Sequence, residues 1–166
     1  DGITAHLRED RRHIIDQDIS RLRQQNILPL NLEMAVTDEM QDIALDVLPN
    51  AICLVPEKRE ERTTEGGLNV IENISRLTSF IEPIKQKNIR VSLFIEPSEQ
   101  QIDAAKNIGA DIIELHTGNF CDLFEKKDKK HIEAIKTLEK AASYAFKLGL
   151  EVHAGHGLTT ESVGHI

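Results

Sequence analysis

Residues 1–13 read DGITAHLREDRRH, and the alternation inside them decides the fold. Ile3, Ala5 and Leu7 fall on one face of a predicted strand, while Thr4, His6 and Arg8 fall on the other. A parallel sheet covered by helices on both sides is normally apolar on both faces. The polar face of this strand therefore points somewhere wet or functional. EDRRH follows, a loop dense in ionisable groups that sits at the strand's carboxyl end.

The same alternation recurs along the chain. Pro29–Ala35 reads as a second strand, with Leu30, Leu32 and Met34 opposite Asn31, Glu33 and Ala35. Asn50–Pro56 is a third, Ile89–Glu96 a fourth, Ala110–His116 a fifth and Leu150–Gly157 a sixth. Helical spacing fills the intervals: from about Asp16, from Thr37 as N-cap, over about Asn69–Gln86 with Pro83 expected to kink or shorten it, and over about Lys129–Leu148. Ser98 and Gln101 carry a capping-box signature for one more helix, which Gly109 ends. Strict strand–helix alternation means a parallel sheet with right-handed crossovers. His6 with Arg8, Asn31 with Glu33, Ser92 with Glu96, and Glu114 with His116 place polar groups on one strand face. This favours a (β/α)8 barrel, whose interior tolerates polar side chains near its mouth, over an open doubly wound sheet. Six of the eight strands are predicted, in a single domain spanning 1–166. The chain starts without Met, inside a strand, and a new helix is expected from Thr159, so we expect an internal portion of a longer barrel lacking the first and last strands.

Composition narrows the function. The chain has 166 residues, 40% hydrophobic and 29% charged, which is enough for a sizeable core. A net charge of −8 argues against a general nucleic-acid or membrane-surface binder. Two basic clusters survive in that acidic background, Arg8/Arg11/Arg12 and Lys58/Arg59/Arg62, and suit small anions. Cys53 and Cys121 form no CxxC pair, which points to a reducing cytosol. No apolar run is long enough to span a bilayer.

His6, Glu33, Glu114 and His156 each stand near the carboxyl end of a different predicted strand, where a barrel gathers its catalytic groups. Two imidazoles and two carboxylates suit a reaction with several proton transfers near neutral pH. Each taken singly also reads as a buried salt-bridge or hydrogen-bond partner, and His116 and His153 as core histidines. A divalent cation on His6, Glu33 and Glu114 is a rival, whereas His153 and His156 fall on opposite faces of a strand. GxSxG, GxGxxG and Walker patterns are absent. The long polar loop 57–67 contains Thr63-Thr64-Glu65-Gly66-Gly67, which offers hydroxyls and backbone N–H groups to a phosphate and is expected to close over substrate.

HLREDRRHI (6–14), NLEMAVT (31–37), LVPEKR (54–59), TTEGGL (63–68), VSLFI (91–95), IELHTG (113–118) and AGHGLT (154–159) resemble, in order and spacing, the blocks of the pyridoxine 5′-phosphate synthase family. The resemblance implies a (β/α)8 barrel that condenses 3-amino-2-oxopropyl phosphate with 1-deoxy-D-xylulose 5-phosphate. It implies proton acceptors at His6 and Glu33, a proton donor at His156 and a transition-state carboxylate at Glu114. Arg8, His13 and Thr63 match positions that hold the deoxyxylulose phosphate, and Gly157 matches a contact to the amino-ketone phosphate. It further implies a cytoplasmic homo-octamer with no organic cofactor; separately, no metal is expected, and the acidic balance leaves no nucleic-acid or membrane partner expected. The family's Asn-x-Asp-His motif and its final Gly-His are missing here, so part of the amino-ketone phosphate site is expected outside this sequence. Two readings outside the family stay open: another phosphosugar barrel of aldolase or epimerase type, although no lysine falls in a predicted strand core, and a non-catalytic ligand-binding module.

Overall fold

The computed structural model describes residues 1–25, 28–63 and 66–166. Six strands, β1 (Ile3–His6), β2 (Leu30–Met34), β3 (Ala51–Leu54), β4 (Arg90–Ile95), β5 (Ile112–His116) and β6 (Glu151–Gly155), form one sheet in chain order, every neighbouring pair parallel. The sheet curls as a partial (β/α)8 barrel, as the alternation predicts. Helices α1 (Asp16–Gln25), α2 (Asp38–Val47), α3 (Ile74–Gln86), α4 (Glu99–Asn107), α5 (Gly118–Glu125) and α6 (His131–Lys147) occupy the connections.

The two sheet faces differ as the period of two requires. Leu30, Leu32, Met34, Ile52, Leu54, Leu93, Ile95, Ile113 and Leu115 belong to the large core shared with Ile19, Met40, Leu77, Ile81, Ile84, Ile102 and Ala145 of the helices. The other face is concave. Register sets His6 beside Glu33, Glu33 beside Cys53 and Cys53 beside Ser92, with Phe94 beside Glu114 and Glu114 beside His153 one step further on. Cys53, Val55 and Phe94 make a small apolar cluster of their own there. This lining of mixed polarity is what a barrel interior near its mouth allows.

Several local expectations hold. Thr37 caps α2 by accepting the Met40 N–H, and Gly109 and Gly149 follow helix ends at φ +90° and +74°. Others need correction. Ser98 makes no side-chain cap bond. Gln101 instead buries its amide, accepting the Val70 N–H at 2.9 Å and donating to Asn69 Oδ1 at 3.2 Å, so it anchors the segment before α3. Helix α3 runs to Gln86 as expected, unshortened by Pro83, but it starts at Ile74 rather than about Asn69, after a 3-10 turn at Ile71–Asn73. No α-helix starts at Thr159. Thr159 and Ser162 exchange hydroxyl and backbone bonds in a turn, and only a 3-10 turn, Val163–His165, follows. Helix α5 was not predicted: it begins on Gly118, and Thr117 before it spends its hydroxyl on Gly155 O and His156 O rather than on a cap.

Candidate active site

The four residues singled out from the sequence converge. His6 ends β1, Glu33 lies beside it on β2, Glu114 sits on β5, and His156 follows β6 with φ +82°. All four line one cavity of about 800 Å³ on the concave face, which Arg8 and Gly157 also border. His13 is exposed in the segment before α1, away from that lining. Thr63 stands beside the cavity, its hydroxyl donating to Glu96 Oε1 at 3.0 Å. Thr64 and Glu65 lie outside the described residues.

His6 is held between two carboxylates. Its Nε2 is 3.1 Å from Glu57 Oε1, and its Nδ1 is 3.7 Å from Glu33 Oε1. Glu57 was not predicted, yet its other oxygen accepts the Glu9 N–H at 3.1 Å, tying the loop after β3 to the loop after β1.

Across the floor of the cavity the buried Cys53 thiol donates to Glu114 Oε2 at 3.7 Å. Burial pushes the thiol's pKa well up, and the carboxylates of Glu114 and Glu33 push it further, so Cys53 is a neutral donor. Burial and then the neighbouring Glu33 raise the Glu114 carboxyl above its ordinary value, against the opposing pull of Cys53 and His153. Room for this carboxylate comes from Gly155, where any Cβ would collide with Glu114 Oε1.

Opposite the carboxylates, Phe94, His116 and His156 pack in tilted ring contacts, with centroids 4.9 Å apart for Phe94–His116 and 4.8 Å for the two histidines. His116 Nδ1 accepts the Gly118 N–H at 3.1 Å, which puts the proton of the neutral ring on Nε2. Burial lowers the His116 pKa, with Glu96 opposing and His156 adding to the depression. His116 is therefore a structured, neutral partner of His156 rather than an isolated core histidine.

The loop over the cavity is anchored by two glutamates. Buried Glu61 accepts the N–H groups of Glu57 and Lys58 and pairs with Arg76 at 3.4 Å. Glu96 holds Thr63 and accepts the Gly67 N–H at 2.7 Å. Of the two basic clusters only Arg8 and Arg62 reach the cavity. Arg11 instead binds Asp16 and Glu39, and Arg12 pairs with Asp10, so those charges brace the segment before α1. Arg8 shares Asp10 with Arg12, whereas Arg62 makes no ion pair among the described residues. No three His, Cys, Asp or Glu side chains among the described residues are grouped as a metal ion would need.

Glu57, Glu96, His116 and Cys53 are the site residues that sequence reasoning did not assign. A signal existed for two of them: Glu96 and His116 alternate onto the polar faces of their strands. Cys53 sits in an apolar run, and Glu57 in a loop without period, so neither announces itself.

Residues 1–166 match the family described as pyridoxal phosphate biosynthesis protein PdxJ. A protein of Sulfurihydrogenibium sp. named pyridoxine 5′-phosphate synthase is 56% identical over 169 residues, covering all of this chain and 68% of that protein. Proteins of the same name from Cereibacter sphaeroides and Ruegeria pomeroyi are 54% and 55% identical, each covered over 66% of its length. The chain thus spans about two thirds of the length of these curated relatives. A xylose isomerase domain protein from Planctomyces limnophilus superposes with a TM-score of 0.52 at 14% identity, over 81% of this chain and 56% of that one, a likeness of fold alone. Matched along its whole length and more than half identical to these relatives, this chain belongs to the PdxJ family of pyridoxal phosphate biosynthesis proteins, enzymes whose curated members carry the name pyridoxine 5′-phosphate synthase.

Proposed function

We propose that this chain supplies the acid–base centre of a pyridoxine 5′-phosphate synthase. The enzyme condenses 3-amino-2-oxopropyl phosphate with 1-deoxy-D-xylulose 5-phosphate, releasing pyridoxine 5′-phosphate, inorganic phosphate and water. The observation that carries this reading is the convergence of His6, Glu33, Glu114 and His156 on one cavity bordered by Arg8 and Arg62. Building a pyridine ring from an amine and two carbonyl compounds needs imine formation, enolisation, dehydrations and loss of phosphate. Each of these steps moves a proton, and groups fixed around one cavity can relay them.

The residues divide the work by environment. His6 and Glu33, side by side and each about 30% exposed (27% and 30% by side chain), are open to substrate and suited to take protons from carbon next to a carbonyl or imine. Glu114, whose carboxyl burial and Glu33 hold above its ordinary pKa, is more enclosed than Glu33 and suits stabilising charge that develops in the transition state. His156, packed against the neutral His116 ring, suits returning protons to leaving oxygens. Arg8 presents a guanidinium fork to a substrate phosphate, and Gly157 lets backbone approach a second one. In the full chain His13 and Thr63 complete the deoxyxylulose phosphate site once substrate draws the flanking loops inward. The same reading entails a cytoplasmic homo-octamer that needs no organic cofactor.

Incubating the full chain with both phosphorylated substrates should yield pyridoxine 5′-phosphate by chromatography, and no product would overturn the assignment. Glu33→Gln keeps shape but removes a base, so kcat should fall by on the order of 10²-fold or more. Arg8→Lys replaces a fork by a point charge and should mainly raise KM for the deoxyxylulose phosphate. A Glu33→Gln enzyme turning over at nearly the wild-type rate would make Glu33 a structural carboxylate.

A further inference from the structure

We infer that Glu57 is a positioning residue that sets the tautomer of His6, holding the ring proton on Nε2 and leaving Nδ1 as the basic atom. The inference deepens, and rests on, the acid–base reading of His6 above. Three observations carry it. Glu57 is only 9% exposed by side chain, and both its oxygens are engaged: Oε1 with His6 Nε2 at 3.1 Å, Oε2 with the Glu9 N–H at 3.1 Å. An ionised carboxylate only accepts, so the nitrogen facing it must donate. At Nδ1 the nearest carboxylate oxygen, Glu33 Oε1, is 3.7 Å away, beyond hydrogen-bond reach, and His6 lines the cavity there with Glu33. One ring nitrogen is committed; the other is free beside the substrate space.

The chemical consequence is specific. A neutral imidazole can serve as a base only at its unprotonated nitrogen. With the proton on Nε2, a substrate C–H can give its proton to Nδ1 while the bonding pair moves into the adjoining carbonyl or imine. The imidazolium so formed lies between Glu57 and Glu33, and Nδ1 then hands the proton on. The reverse tautomer would aim an N–H at the cavity and bury the lone pair against Glu57, where two acceptors would face each other.

Glu57→Gln tests this, because the two acceptor oxygens become one. The Glu9 N–H claims the amide oxygen, which turns the NH2 toward the ring and makes it a donor to Nε2; the ring proton must then move to Nδ1. In the full chain labelled with 15N-histidine, two-bond 1H–15N correlations in mildly alkaline buffer report the tautomer, with His6 assigned by its absence in His6→Gln. The wild type should show protonated Nε2. Glu57→Gln should show protonated Nδ1 and a kcat lower by about 10²-fold, the scale of a lost general base, with KM for both substrates little changed. A wild-type ring protonated on Nδ1 overturns the inference without needing any variant, as does a Glu57→Gln ring that keeps the wild-type tautomer. A swapped tautomer with undiminished kcat overturns the role given to Nδ1. Failure of the synthase reading is a separate result: wild type without turnover on the two substrates, whatever the spectra show.

Discussion

At the scale of the residue, the site works through environments more than through residue types. Glu33 and Glu114 are the same side chain on one concave face, but burial and the neighbouring Glu33 raise the Glu114 pKa. A carboxyl whose pKa is raised on folding binds its proton more tightly when folded. The stability it contributes is whole below the ordinary carboxylate range and is lost as pH rises through the raised value. Glu114→Gln keeps the shape and removes the titration. Its melting temperature, relative to wild type, should therefore be higher at neutral pH than in acid below the carboxylate range. Thermal melts of both proteins at the two pH values decide it, and an unchanged difference would mean that Glu114 carries no ionisation penalty. Alternation made Glu33 and Glu114 legible from the sequence, because a period of two assigns each to the polar face, and it left the same signal unassigned at His116. Glu57 was not legible, since its partner His6 lies 51 residues away and only loop closure joins them.

At the scale of the element, caps and close approaches hold the parts that carry the site. Thr37 starts α2 by accepting the Met40 N–H at 3.3 Å, three residues after β2 delivers Glu33 and Met34. Thr37→Ala should cost about 1 kcal/mol of stability by urea unfolding, the usual loss for an N-cap oxygen. A tighter constraint sits where the loop after β3 crosses β4. A Cβ on Gly67 would lie 2.7 Å from Glu96 N and 3.0 Å from the Ile95 carbonyl carbon, both backbone. Gly67→Ala should therefore cost on the order of 1–3 kcal/mol, the range for overpacking, and displace Thr63 from Glu96. Urea melts read the first effect, and a non-additive double-mutant cycle, in which Thr63→Ala costs less in the Gly67→Ala background than in wild type, reads the second. Strands and long helices were readable here because their periods repeat. Helix α5 escaped because it is short, opens on glycine and has no capping bond, so tertiary contact through buried Phe120 supplies what local preference does not.

At the scale of the whole molecule, a chain of net charge −8 must still receive anions. Screening limits the reach of the distant acidic surface to about 10 Å at 0.1 M salt, so Arg8 and Arg62 beside the cavity dominate what a phosphate feels. KM for the deoxyxylulose phosphate should rise with ionic strength, and Arg62→Ala should raise it at low salt and flatten the dependence. A KM that falls as salt is added would show net repulsion by the acidic surface to prevail. The curl of the sheet and the parallel order of six strands were determined by sequence alone, because strand–helix alternation leaves one connection hand and a polar strand face needs an interior to point into. His6, Glu33 and Glu114 followed from the same period, whereas His156 reaches the cavity out of phase with it, at φ +82° just after β6. What only tertiary structure decided are the contacts that have no period: Glu57 on His6, Cys53 on Glu114, Glu96 on the loop at Thr63 and Gly67, and the ring contact of His116 with His156. Each joins residues from different strands or loops, and their distances depend on loop closure and on which side chains meet across the sheet, which no local pattern of side chains records.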